Sequence, residues 1–286
     1  MERLIIIGPG RVGLALGAAL VEADAVASLA YWGRAPEPPD HPLFTDGVAT
    51  YRYGVELPPS ATTAVFLTVP DAMLEEIAEV LAARGTPPDG TPVFHCSGAL
   101  GADPLGALHA RGYQVGTLHP LQAIANPHTG AGRLKGASFA ISGEPGALAA
   151  ARRIVAELSG RAITVPTSRR PLYHAAAVLA SNYLVVLLRT AAQLFEEAGA
   201  SPEEAEAALT ALARGTLENA TALGLDRSLT GPVSRGDLEV VGLHLRTLSP
   251  DDRELYAALG RRALEMARDR LDPGVADHMS ELLRSR

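Results

Sequence analysis

Two histidines and one arginine stand where this chain can handle a proton and an anion. His119 ends the apolar run Tyr113–Leu118, and His174 lies near the start of the long apolar segment 171–198. Imidazole titrates near neutral pH, so either ring can give a proton to a reacting atom. With Pro120 beside it, His119 reads equally as a structural ring bonded to a loop carbonyl. Ser97 follows the run Thr91–His95, so its hydroxyl, like His119, sits at a strand end; His95, inside the run, reads as core. Ser181 and Asn182 follow His174 by seven and eight positions. On a helix these offsets lie about 20° and 80° from His174, so the three share one polar flank. A buried polar flank must be satisfied; it is either a substrate wall or an interhelical hydrogen-bond network. The loop Thr230-Gly231-Pro232-Val233-Ser234-Arg235-Gly236-Asp237 offers backbone N–H groups and Arg235, a good carboxylate clamp. The bland alternative is a tight turn with Arg235 and Asp237 paired.

A second constellation is a phosphate cradle. Gly8-Pro9-Gly10-Arg11-Val12-Gly13 fits G-x-G-x-x-G, after the apolar run Leu4–Ile7 and at the opening of a helical pattern, Val12–Glu22. Gly8 allows a tight turn, Gly10 lets backbone approach a pyrophosphate, and Gly13 lets helix and strand pack closely. The helix N-terminus adds free N–H groups and positive potential. Dinucleotide sites that select NAD carry an acid after the second strand, on the ribose 2′-OH. Here Tyr31-Trp32-Gly33-Arg34 follows instead, and a guanidinium suits a 2′-phosphate, so Arg34 points to NADP. Val69 and Pro70 end another strand at the crevice edge. Asp71 is expected to cap the next helix.

These residues need a scaffold, and the chain alternates strand and helix patterns to supply it. Strands are expected at Leu4–Ile7, Ala25–Trp32, Thr63–Val69, Thr91–His95, Tyr113–Leu118, Ser138–Ser142 and Arg161–Val165, with helices at Val12–Glu22, Asp71–Arg84 and Ala147–Leu158. That order predicts an α/β domain with a doubly wound, mainly parallel sheet over residues 1–165. After the proline-bracketed Pro166–Pro171 the pattern is helical only, giving an all-α domain over 166–286. Its long first helix, apolar almost all round between Ala175 and Leu188, is expected to be a buried central helix, too short and polar-centred to span a bilayer. At 47% hydrophobic and 20% charged the 286 residues are not disordered, and a net charge of −7 argues against nucleic acid as a partner. A lone cysteine, Cys96, excludes an internal disulfide and a thiolate metal cage and suits a cytoplasmic protein. The N-terminus runs straight into Leu4–Ile7, without the pattern of a signal peptide.

Together with the glycine turn, the segments Val93–Ala99, Gly116–Gln122, Tyr173–Ala177 through Tyr183, and Thr230–Asp237 resemble the Rossmann-like family with a C-terminal domain of unknown function, DUF2520. That family is similar in layout to pyrroline-5-carboxylate reductases, prephenate dehydrogenases and ketopantoate reductases. The resemblance implies a Rossmann domain followed by a helical domain like that of 6-phosphogluconate dehydrogenases, paired into a homodimer. It implies NADP and hydride reduction of a small carboxylate-bearing keto (ketopantoate-like) or cyclic imine substrate; a non-catalytic NADP sensor is the competing reading. One departure stands out. The family tends to carry lysine three residues before the Tyr-His pair, where this chain has Arg170, a side chain that can bind an anion but does not release its proton.

Overall fold

The computed structural model describes residues 1–86 and 90–284, and the chain forms two compact units, Met1–Asn182 and Tyr183–Arg286. The first is built on a sheet of strands β1 (Glu2–Ile7), β2 (Val26–Gly33), β3 (Thr50–Tyr53), β4 (Ala64–Leu67), β5 (Pro92–His95), β6 (Gln114–Pro120), β7 (Ser138–Gly143) and β8 (Arg161–Thr164), in the order 3-2-1-4-5-6-7-8. Apolar runs such as Leu4–Ile7 and Ala64–Leu67 are buried on both faces, as parallel strands between helical layers require. Side chains alternate across the sheet. Leu4 and Ile6 join helices Arg11–Glu22 and Pro145–Glu157 in one core, whereas Ile5 and Ile7 join helix Leu74–Ala82 in the other. Strand order reverses between β1 and β4, which opens a crevice at their carboxyl ends, the place where open α/β sheets bind ligands.

The sheet departs from the sequence pattern at two points. β3 is a short edge strand that the polar, glycine-flanked segment around Thr50–Tyr53 did not announce. β7 runs antiparallel to β6, because the link between them does not cross back over the sheet. It carries a helix, Pro127–Leu134, that packs on Arg11–Glu22 with Gly130 against Ala15.

Glu2 ties the start of β1 to the helical layer. Its carboxylate is nearly inaccessible, pairs with Arg153 and accepts from the Thr63 hydroxyl. Burial alone would raise its pKa. The hydrogen bonds from Arg153 and Thr63 and the charges of Arg153 and the N-terminus outweigh that and hold it below the usual range. A carboxyl depressed in the fold stabilises it above the unfolded pKa, and that stabilisation is lost as pH falls through the folded value. Glu2→Gln is therefore expected to cost about 1–2 kcal/mol near neutral pH, the pair being half open to solvent through Arg153. The gap to wild type should close on acidification, which urea melts at neutral and acid pH would read; equal stability of the two proteins at neutral pH would refute the tie.

In the second unit, helices Leu238–Thr247, Pro250–Ala267 and Pro273–Leu282 enclose a small core of Val241, Leu245, Leu264, Ala276 and Met279. Helix Pro202–Leu223 starts with a capping box formed by Ser201 and Glu204. The expected long buried helix is corrected in two ways. It breaks at Ser181 into Arg170–Ala180 and Asn182–Glu197. It is also uncovered in the single chain: only Arg170 and Ala192 are buried, whereas Leu179 and Val185 are 62% and 67% exposed. The segment 167–197 is long and apolar enough to cross a membrane by length and composition.

Candidate active site

The glycine turn has the form its spacing predicts, and its three glycines answer to different constraints. Gly8 has φ +103°, in the region that favours glycine, and a Cβ there would sit 2.9 Å from the Thr68 carbonyl oxygen and from the Val69 side chain. At Gly13 a Cβ would lie 2.6 Å from the Gly8 carbonyl oxygen. Gly10 differs: nothing approaches its Cβ position closer than 3.9 Å, so the chain itself places no steric demand for glycine there. Helix Arg11–Glu22 begins at this point with no side-chain cap and no acid in its first turn. Open space over Gly10, beside the first-turn residues Arg11, Val12 and Gly13, fits a dinucleotide pyrophosphate. Pro9 lies in the turn between Gly8 and Gly10, and the Thr68 hydroxyl, donating to the Gly8 carbonyl at 2.6 Å, braces the turn from β4.

Beyond β2, Arg34 is exposed and makes no ion pair among the described residues, and the two residues that follow it, Ala35 and Pro36, are not acids. After β4, Val69 and Pro70 lead to Asp71. Its carboxylate does not cap the next helix as expected; it accepts the Ser97 hydroxyl at 2.7 Å, across to the loop after β5. Ser97 is fully engaged. Its oxygen also accepts from the Leu100 amide, its amide donates to His95 Nδ1, and His95 Nε2 donates to the Gly101 carbonyl. His95 is completely buried, and burial holds its pKa below the usual imidazole range.

His119, at the end of β6, meets the residues that open helix Arg170–Ala180. Its Nδ1 lies 2.8 Å from the Tyr173 hydroxyl, and its ring stands perpendicular to His174 with centroids 6.1 Å apart. Gly98 makes this cluster possible, since a Cβ there would lie 2.4 Å from His174 Cδ2 and 3.0 Å from His119 Nε2. Burial first, then the charge of Arg170 and the nearby His174, push the His119 imidazole down to about 4. It is thus neutral at physiological pH, against the premise that it titrates near neutrality. Arg170 is fully buried; its Nη2 donates to the Ser97 carbonyl at 2.6 Å, while Nε and Nη1 have no hydrogen-bond partner among the described residues. A cavity of about 470 Å³ is lined by His119, Tyr173, His174, Ser181 and Asn182 among others.

His119, His174, Ser181 and Asn182 therefore share one cavity wall, with Ser97 packed behind it in its own hydrogen bonds. The sequence gives Tyr173 no signal, because a phenol has no characteristic spacing and its partner is 54 positions away. Arg235 lies in the second unit, exposed at the end of the short helix Pro232–Arg235. It does not pair with Asp237, whose carboxylate caps the helix Leu238–Thr247. His244 bonds the Tyr256 hydroxyl at 2.8 Å within that unit. Among the described residues no cluster of side chains suits a metal ion.

Residues 2–120 match the model of a Rossmann-like domain, and residues 137–263 match DUF2520, a domain of unknown function. The chain is a Rossmann-like protein with a C-terminal DUF2520 domain. The DUF2520 match begins within the sheet, so β7 and β8 belong to it as well as the helical stretch that follows as far as residue 263. Protein TM1727 from Thermotoga maritima shares the fold at a TM-score of 0.73 and 22% identity, over 93% of this chain and 99% of that one. A reductive aminase from Aspergillus terreus, solved with NADPH and ethyl levulinate, aligns at 0.63 and 19% identity over 98% and 99%. Plasmodium falciparum pyrroline carboxylate reductase, with NADP bound, aligns at 0.60 and 11% identity over 98% of each chain. No curated protein matches the sequence at a significant level. At these identities the likeness carries the fold.

Proposed function

We propose that this DUF2520 protein is a soluble, cytoplasmic NADP-dependent oxidoreductase that reduces a small carboxylate-bearing keto compound, ketopantoate-like, or a cyclic imine. The observation that carries the reading is the uncapped helix N-terminus with open space over Gly10, on the same carboxyl edge of the sheet as the His119–Tyr173–His174 cavity. NADPH, when bound, supplies a hydride. Gly8, Gly10, Gly13 and the amides of the first helical turn hold its pyrophosphate, Arg34 holds its 2′-phosphate, and Val69 and Pro70 flank the nicotinamide end of the crevice. The solved structures that name NADP or NADPH support this choice of cofactor. On the protein side, the cavity bounds the substrate with Ser181 and Asn182, His119 and His174 stand beside the reacting atoms, and Ser97 fixes the wall behind them. Arg235 is assigned to the substrate carboxylate.

Purified protein should oxidise NADPH with at least one member of a panel of 2-keto acids and cyclic imines. Arg235→Ala should then raise KM with little change in kcat, because a carboxylate clamp holds ground and transition states alike. Tight NADPH binding with no turnover on any member would favour a sensor instead. The uncovered apolar faces of helices Arg170–Ala180 and Asn182–Glu197 support a homodimer through the helical portion.

A further inference from the structure

The most unusual side chain in the molecule is Arg170. A guanidinium with no exposed surface is expected to pair with a carboxylate, yet no ion pair includes it among the described residues, and two of its nitrogens have no hydrogen-bond partner. Its single hydrogen bond is to the Ser97 carbonyl. Its guanidinium carbon lies 5.7 Å from the centre of the Tyr173 ring, a residue whose hydroxyl meets His119 and which lines the cavity. An unpaired buried cation is costly in the resting protein. It becomes favourable if negative charge develops beside it during reaction, which is how a preorganised site stabilises a transition state.

We propose that Tyr173, rather than either histidine, delivers the proton to the substrate, with Arg170 and His119 as positioning residues that ready it. This rests on the reductase reading above. In the tautomer with its proton on Nδ1, His119 donates to the phenol oxygen and leaves the phenol's own hydrogen free for the cavity. As the substrate carbon takes up a hydride from reduced nicotinamide, the C=O or C=N π pair moves to oxygen or nitrogen. That atom takes the Tyr173 proton. The phenolate left behind keeps the hydrogen bond from His119 and the field of Arg170, and solvent reprotonates it. The nicotinamide is oxidised as the substrate is reduced, so electrons balance. His119 is poorly suited to be the donor because burial and Arg170 keep it neutral. His174 has no hydrogen-bond partner among the described residues to fix its tautomer. Burial raises the Tyr173 pKa and Arg170 opposes that rise, so the phenol is protonated and ready at neutral pH. The other groups around it are His174 on its own helix, Cys96 beside Arg170, and His95 and Asp71 near His119.

Two measurements test this, and they separate it from the reductase reading. In the first, ultraviolet difference absorbance between wild type and Tyr173→Phe follows Tyr173 ionisation without any substrate. Arg170→Gln should move that ionisation to higher pH, and Arg170→Lys, which keeps a cation and serves if the glutamine variant fails to fold, should stay nearer wild type. No difference between lysine and wild type together with no shift in the glutamine variant would overturn the role of Arg170. In the second, on the substrate found with the panel, Tyr173→Phe should lower kcat by about a hundredfold or more with KM and NADPH affinity kept. Full turnover by Tyr173→Phe would overturn the assignment. If no substrate is found, the reductase reading fails, while the titration still decides whether Arg170 readies Tyr173.

Discussion

Replacing Gly10 by valine is expected to abolish NADP(H) binding while leaving the fold as stable as wild type, within about 0.5 kcal/mol. The two effects separate because the chain itself leaves the Gly10 Cβ position open, at 3.9 Å from its nearest neighbour. A pyrophosphate seated on the helix N-terminus would occupy that opening, so a branched side chain excludes the ligand and little else. Gly13→Ala should behave differently. Its Cβ would press on the Gly8 carbonyl at 2.6 Å and on the Thr68 hydroxyl, so both stability and binding should fall, stability by about 1–3 kcal/mol. Thermal or urea melts beside a cofactor titration read both quantities. Loss of stability in Gly10→Val, or normal binding by it, would contradict a pyrophosphate at that position.

The second large effect concerns the helices on either side of Ser181. Leu172, Leu179, Val185 and Val186 are each more than half exposed in the single chain, too many apolar side chains for a free surface. In a homodimer they would be covered. Fully burying one such side chain is worth about 1.5–3 kcal/mol, and a carboxylate in its place adds a desolvation cost. Leu179→Glu with Val186→Glu should therefore weaken self-association by about a hundredfold or more. Light scattering across a concentration series would show a dimer for wild type and a shift toward monomer for the double variant. A monomeric wild type, or partition of the native chain into detergent, would overturn the dimer.

Much of this was legible in the sequence because the signals are local. Gly8 to Gly13 carry their constraint in spacing, and Leu4–Ile7 and Ala64–Leu67 announce buried parallel strands by unbroken apolar character. What depends on distant partners was not. The antiparallel turn of β7 follows from where Pro127–Leu134 packs, which periodicity does not encode. Apolar character around Ala175–Leu188 says that the helix must be covered, not by what, and the chain's own core does not cover it. The neighbours of Asp71 in sequence suggest a helix cap, whereas its partner Ser97 is 26 positions on. In sequence Arg170 differs only as an arginine in place of a lysine; its burial without a counter-ion among the described residues, and its place against Tyr173, appear only in three dimensions.

Titrating wild type and Arg34→Ala with NADPH and with NADH, followed by nicotinamide fluorescence, tests most directly whether the glycine turn and Arg34 hold NADP. Wild type should bind NADPH the more tightly. Arg34→Ala should lose about 1.5–3 kcal/mol toward NADPH, the range for hydrogen bonds to charged groups, with NADH nearly unchanged. No binding of either nucleotide, or equal losses for both, would contradict it.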